Sequence, residues 1–218
     1  LVLILIRQHI PESPRYGEAM LRPDDDTGEL ALGVVLVVGG GKVACSLARA
    51  LTLAGLDVAL GSRHPVPLPR ASQPWRVVAW EDVSRTAADL VVVVVGDDAI
   101  PGVASRLDPR IPAVHCSGAS SPDALSPIAT RGVWHPLMAF PTRTTPVAPS
   151  TVFGVCAGEP LACRLVALTR QLGCRAVSLD AGDLPIYHSA AVEAVHPTLA
   201  SVEICGRRLT RSGFSEAE

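Results

Sequence analysis

The stretch VVLVVGGGKVACSLARALTLAG, residues 34–55, changes its periodicity at three consecutive glycines. Before them lies an uninterrupted apolar run, 34–38, of strand length. A strand that is apolar at every residue is one covered on both faces. After them Val43, Leu47, Leu51 and Ala54 recur at the spacing of one helix face, and Gly55 supplies a helix stop. A buried strand running through a glycine turn into a helix restricts the chain to folds with helices on both sides of a sheet. The alternation then repeats. Strands are expected at 58–60, 76–79, 90–95, 113–116, near Val133, at 151–157 and at 176–179, and helices at 81–88, 98–107, 160–172 and 184–204. Such an order predicts an α/β fold with a doubly wound, mainly parallel sheet.

The 218 residues divide into a flexible N-terminal tail, 1–30, a sheet domain, 31–182, and the truncated start of a helical C-terminal domain, 183–218. LVLILI at 1–6 is apolar but about a third of the ~20 residues a bilayer span needs, so no membrane association is expected. A net charge of −2 and only three Trp, two Tyr and three Phe argue against a nucleic-acid partner, which favours basic faces and stacking platforms. The six cysteines form no C-x-x-C pair and no zinc-like cluster with histidine, so they read as ordinary buried thiols in a reducing cytoplasm. No metal site is expected.

Gly39, Gly41 and Ala44 fit G-x-G-x-x-G/A between a strand and a helix. The first position permits a tight turn, the second lets the backbone approach a pyrophosphate, and the third lets the helix pack on the sheet. The helix N-terminus offers unpaired N–H groups to the phosphates. Gly39, Gly40, Gly41, Lys42, Val43 and Ala44 are therefore the expected dinucleotide contacts. Dinucleotide sites selective for NAD place a carboxylate at the end of the second strand, to bond the ribose 2′-hydroxyl. Here the sequence is Gly61-Ser62-Arg63-His64. Ser62 and Arg63 can bond and pair with a 2′-phosphate that a carboxylate would repel, which points to NADP. Gly96 and Asp97, after the fourth strand, complete the expected cofactor set, with Asp97 or Asp98 also a simple cap for the helix that follows.

Hydride transfer needs an acid or base beside the reacting oxygen, and histidine titrates in the right range. His135 is expected on a loop beyond the carboxyl edge of the sheet, either as proton donor or as a loop histidine bonded to backbone. Ser117 can orient a substrate oxygen or simply close a Ser-Gly turn with Gly118. His115, inside a strand, reads as a packed histidine. Arg131 and Arg143 flank His135 and could clamp an acidic substrate, though a solvent-exposed role is the simpler one.

HCSGA (115–119), HPLMAFP (135–141) and YHSAAVEAVHP (187–197), together with the glycine loop and VVVVVGDDAI (91–100), resemble the Rossmann-like proteins that carry a domain of unknown function numbered 2520. That group resembles a branch of the 6-phosphogluconate dehydrogenase superfamily, near deazaflavin-dependent NADP reductases and prephenate dehydrogenases. The resemblance runs collinearly from about residue 34 to 197. It implies a Rossmann sheet, a bound NADP and an oxidoreductase reaction. By comparison with the HP turn of prephenate dehydrogenases, it implies that His135 contacts the substrate hydroxyl. By comparison with a helix that carries a catalytic Lys and an Asn, it places His188 as a polar partner in the cleft, and His196 eight residues further on. Two departures stand out. The family's second domain is a larger helical bundle, often a dimer interface, whereas only 183–218 follow Gly182. His196 stands where the family pattern has Asn, and Pro197 after it is expected to break the helix.

These observations predict an NADP-dependent oxidoreductase acting on a small carbonyl or alcohol, with His135, Ser117 and His188 in the substrate site and a possible homodimer through the C-terminal helix. The enzyme alternative is NADPH–deazaflavin transfer, from the shared GSR after the second strand. The other alternative is an inactive nucleotide-binding regulator.

Overall fold

A computed structural model of the chain describes residues 33–69, 72–149 and 151–212. The expected tail, 1–30, lies outside them. The elements are β1 (Val34–Val38), α1 (Lys42–Leu53), β2 (Asp57–Gly61), β3 (Arg76–Val78), β4 (Leu90–Val93), α2 (Ile100–Ala104), β5 (Ala113–His115), β6 (Arg131–Pro136), β7 (Val152–Ala157), α3 (Leu161–Gln171), β8 (Arg175–Ser178) and α4 (Leu184–Arg211). The eight strands join in the order β3-β2-β1-β4-β5-β6-β7-β8. All neighbouring pairs are parallel except β6 with β7, where the chain reverses. The fold is the doubly wound, mainly parallel α/β sheet that the alternation predicts.

β1 shows why its apolar run had to be continuous. Side chains of a strand alternate between faces. Val35 and Val37 pack into a layer with Leu47 and Leu51 of α1 and Leu165 and Leu168 of α3. Leu36 and Val38 pack into the opposite layer with Val91, Ile100 and Leu125. Each fully buried side chain of this kind contributes about 1.5–3 kcal/mol. In β6 the same alternation sends Trp134 to the first layer, where its ring stacks on Phe153 with centroids 4.7 Å apart. The indole Nε1 donates to Thr169 Oγ1 at 2.8 Å, so the buried N–H is satisfied. Val133 points the other way, against Cys156 and Leu184. The first turn of α4 thus seats on the β6–β7 face that also carries His135.

Several expectations change. The helix expected at 81–88 is a 3₁₀ segment, Trp80–Arg85, with one buried residue, Val83. Thr86 Oγ1 donates back to the Asp82 carbonyl at 2.9 Å and ends it there. The helix expected at 98–107 is a 3₁₀ turn, Asp97–Ala99, leading into the five residues of α2. Pro101 and Gly102 are poor helix formers, and Ser105 Oγ donates to the Gly102 carbonyl at 3.1 Å, which favours the short element. No side chain caps either segment, so Asp97 and Asp98 are not caps. Pro197 does not break the last helix, because α4 continues through it for 28 residues and one missing donor leaves the bonds on either side in place. Among the cysteines, Cys45, Cys156 and Cys174 are buried, but Cys163 and Cys205 are exposed, so the thiols are not uniformly core residues. Among the described residues no helix is long and apolar enough to cross a membrane.

Candidate functional site

In a doubly wound sheet the ligand crevice opens where neighbouring strands send their connections to opposite faces, beyond the carboxyl ends. Here that point lies between β1 and β4, both parallel and hydrogen-bonded to one another. A groove of about 490 Å³ opens there, lined by the glycine loop, by the residues after β2, by Val94–Gly96 after β4, and by Trp80 and Arg143. Every expected cofactor residue lines it except Asp97: Gly39, Gly40, Gly41, Lys42, Val43, Ala44, Ser62, Arg63 and Gly96 are all present.

The glycine loop behaves as three different positions. Gly39 has φ 149°, and a Cβ there would overlap the Val94 carbonyl oxygen, so the chain needs glycine to pass β4 at all. A Cβ on Gly40 would overlap Ser62 Oγ, which places that hydroxyl directly beside the loop. Gly41 is different. It is extended, at φ −77° and ψ −176°, and a Cβ would meet nothing within 4 Å. The space beside Gly41 is therefore the open groove. Gly41 is also the N-cap of α1, with no side-chain cap bond and no acidic residue in the first turn. The first N–H groups of that helix lack intrahelical acceptors and face a place an anion can occupy.

Among the described residues no Asp or Glu lines the groove, whereas Lys42, Arg63 and Arg143 all do. The Arg63 guanidinium carbon lies 5.9 Å from the Trp80 ring centroid and that of Arg106 lies 5.1 Å from it. Trp80 and Arg63 line the groove together with Ser62. These residues fit a dinucleotide. An uncapped helix N-terminus, a Cβ-free approach and a carboxylate-free cationic lining are what its phosphates require.

A second cluster gathers around His135, near enough to Asp97 for that charge to act on the imidazole. His135 lies inside β6, opposite Gly154 of β7, and not on a loop as the sequence suggested. The antiparallel pairing of Pro136 with Phe153 extends the strand past it. Its ring meets Tyr187 edge-on at 5.7 Å between centroids and His188 at 5.8 Å. Gly118 leaves the space between the two histidines, since a Cβ there would stand 2.5 Å from His188 Nδ1 and 2.9 Å from His135 Nε2. Gly154 likewise makes room for the Tyr187 ring. His135 Nδ1, His188 Nδ1 and the Tyr187 hydroxyl are buried without a hydrogen-bond partner. Such groups are costly to leave unpaired. Burial pulls His135 down to about 4, helped by the charge of His188 and opposed by Asp97, so at neutral pH its imidazole is uncharged. Burial pushes the Tyr187 hydroxyl up to about 12.

His115 and Ser117 serve the loop instead. The buried His115 places Nε2 3.0 Å from the Ser121 carbonyl and accepts the Ser117 N–H on Nδ1 at 3.2 Å. Ser117 Oγ accepts the N–H groups of Ala119 and Ser120 at 3.2 and 3.1 Å. Its hydroxyl closes the turn, with a further bond to Ser120 Oγ at 3.1 Å. Asp97 acts electrostatically on both His115 and His135. The side chain of His196 lies outside what is described. Arg131 pairs with Asp123 at 2.6 Å and donates to the Ile128 carbonyl at 2.9 Å. Among the described residues no group of three His, Cys, Asp or Glu side chains is placed to hold a metal ion. Sequence reasoning missed Tyr187, Trp80 and the approach of Arg143 to the glycine loop. Only Tyr187, next to the expected His188, carried a local signal.

No family model matches the sequence, and no curated protein resembles it in sequence. Solved structures do match. A Bacteroides fragilis protein assigned as an NADP oxidoreductase superposes with a TM-score of 0.71 at 21 % identity, over 84 % of this chain and 74 % of that one. The reductive aminase of Aspergillus terreus, solved with NADPH4, cyclohexanone and allyl amine, gives 0.66 at 14 % identity, over 85 % and 69 %. Prephenate dehydrogenase from A. aeolicus, solved with hydroxyphenyl propionate and NAD+, gives 0.61 at 13 % identity, over 87 % and 73 %. The chain carries the Rossmann-like α/β fold of these oxidoreductases and dehydrogenases.

Proposed function

We propose that the protein is an NADP-dependent oxidoreductase of the 6-phosphogluconate dehydrogenase-like type, close to the proteins carrying domain of unknown function 2520, and that it moves a hydride to or from a small carbonyl or alcohol. The observation that carries this reading is the groove at the glycine loop, lined by Lys42, Arg63 and Arg143 and, among the described residues, by no carboxylate. The α1 N-terminus and Gly41 would hold the pyrophosphate. Ser62 and Arg63 would hold the 2′-phosphate, with Trp80 keeping the Arg63 guanidinium in place. Bound NADP would supply the hydride acceptor or donor.

The chain's own part is proton handling and orientation. An uncharged His135 accepts a proton from a substrate hydroxyl more readily than it donates one, which favours a base role in alcohol oxidation. His188 and the neutral Tyr187 hydroxyl would orient the substrate oxygen over Gly118, satisfying atoms that are otherwise unpaired. A second copy of the chain would cover α4, where Ile186 is 73 % and Ile204 44 % exposed. Calorimetry with NADPH and NADH tests the cofactor, and equal affinities would reject NADP. Turnover of a carbonyl and alcohol panel, abolished by His135→Ala with NADPH binding retained, tests the reaction. Turnover that survives His135→Ala would remove His135 from it.

A further inference from the structure

Arg143 sits on the loop between β6 and β7, yet its Nε donates to the Gly40 carbonyl oxygen at 3.1 Å, across 103 positions of sequence. Among the described residues Arg143 takes part in none of the ion pairs seen, such as Arg110 with Asp108 or Arg131 with Asp123. Its charge reaches the Cys45 thiol in the first turn of α1, where it works against the effect of burial. A half-buried guanidinium is thus anchored by one nitrogen at the glycine loop. Arg143 lines the same groove as Gly41 and Lys42, and the Nε tether leaves its two terminal NH₂ groups without a protein acceptor among the described residues.

We propose that Arg143 is a second phosphate ligand of this groove, capping the pyrophosphate of a bound dinucleotide from the β6–β7 side. The proposal rests on the dinucleotide reading above. A loop that only needed fastening to Gly40 could use any neutral donor. Arginine leaves a planar fork of N–H groups free after the tether is made, and that fork matches two phosphate oxygens. The tether fixes the orientation in advance, so less freedom is lost when the phosphates arrive. The helix N-terminus contributes only about half a charge, whereas a pyrophosphate brings two. Arg143 and Lys42, both in the lining, would supply the remainder. Its loop also continues directly from the strand that carries His135, so the phosphate site and the proton-handling site share one segment of chain.

The test separates the two ends of the cofactor. ADP-ribose carries the pyrophosphate without a 2′-phosphate, and 2′-AMP carries the 2′-phosphate without a pyrophosphate. Calorimetry is run with both on the wild-type chain, Arg143→Ala, Arg143→Gln and Arg63→Ala. Both Arg143 variants are expected to bind ADP-ribose at least about tenfold more weakly, with 2′-AMP within about threefold of wild type. Arg63→Ala is expected to do the reverse. Arg143→Gln keeps an N–H donor for the Gly40 carbonyl, so it removes the charge and not the tether. Melting of the ligand-free variants checks the fold, and if Arg143→Ala is destabilised the glutamine variant decides alone. Wild-type ADP-ribose affinity in Arg143→Gln overturns the role of Arg143 while leaving the dinucleotide reading intact. A wild-type chain that binds neither fragment overturns both.

Discussion

Replacing Gly41 by valine separates ligand binding from folding more sharply than any other change in the groove. Gly41 already has an extended backbone that valine adopts, and its Cβ direction is empty to 4 Å. The N-cap position disfavours valine by up to about 1 kcal/mol. The restricted unfolded chain returns about 0.4–1 kcal/mol of that. The ligand-free melting temperature is therefore expected to move by no more than roughly 2–4 °C. Binding is another matter. The valine methyls would fill the space through which phosphate oxygens reach the uncapped N–H groups of α1. Hydrogen bonds to a charged group contribute about 1.5–3 kcal/mol each, so losing two weakens NADPH by at least about a hundredfold. Gly39→Ala is the counter-experiment. Its Cβ runs into the Val94 carbonyl at a φ of 149°, and the expected cost is at least about 3 kcal/mol of stability in the absence of ligand. Circular dichroism melts and NADPH titration by calorimetry measure both variants. A folded Gly41→Val chain that binds NADPH within about threefold of wild type would refute the reasoning, as would a Gly39→Ala chain that melts like wild type.

Arg63→Ala is expected to weaken NADPH by about tenfold or more and leave NADH nearly unchanged, read by paired titrations. Trp80→Ala should cost NADPH less than about fivefold, because a partly exposed cation–π contact contributes only about 0.5–1 kcal/mol. Acid should destabilise the chain through His135. Its folded value, about 4, lies below the ordinary histidine value, so the unfolded state takes up the proton first. The stability it contributes is complete above about pH 6.5 and lost as the pH falls towards 4, by up to about 3 kcal/mol. Melting curves across that range should flatten in His135→Asn, and parallel curves would exclude His135 as the cause. Thr169→Val strands the buried Trp134 N–H and is expected to cost about 1–3 kcal/mol in chemical denaturation.

The succession of strands, the two-sided burial of β1 and the glycine turn into α1 were all legible in the sequence. They depend on interactions between residues a few positions apart: strand alternation, helix spacing, and the fit of Gly39, Gly41 and Ala44 to a turn before a helix. The GSR after β2 was legible for the same reason, because β2 pairs in register with β1 and its end falls beside the glycine loop. The short helices were misjudged where side chains bond back to the local backbone, as Thr86 and Ser105 do. The rest had to wait for the tertiary structure. His135 became a strand residue only because β7 pairs antiparallel beyond it. Its neighbours Gly118, Tyr187 and His188 come from two distant segments that the seating of Leu184 on Val133 brings together. Arg143 meets Gly40 across more than a hundred residues. Local sequence encodes the backbone's own choices, whereas burial, an unpaired polar atom or a depressed histidine arises from groups that only long-range packing makes neighbours.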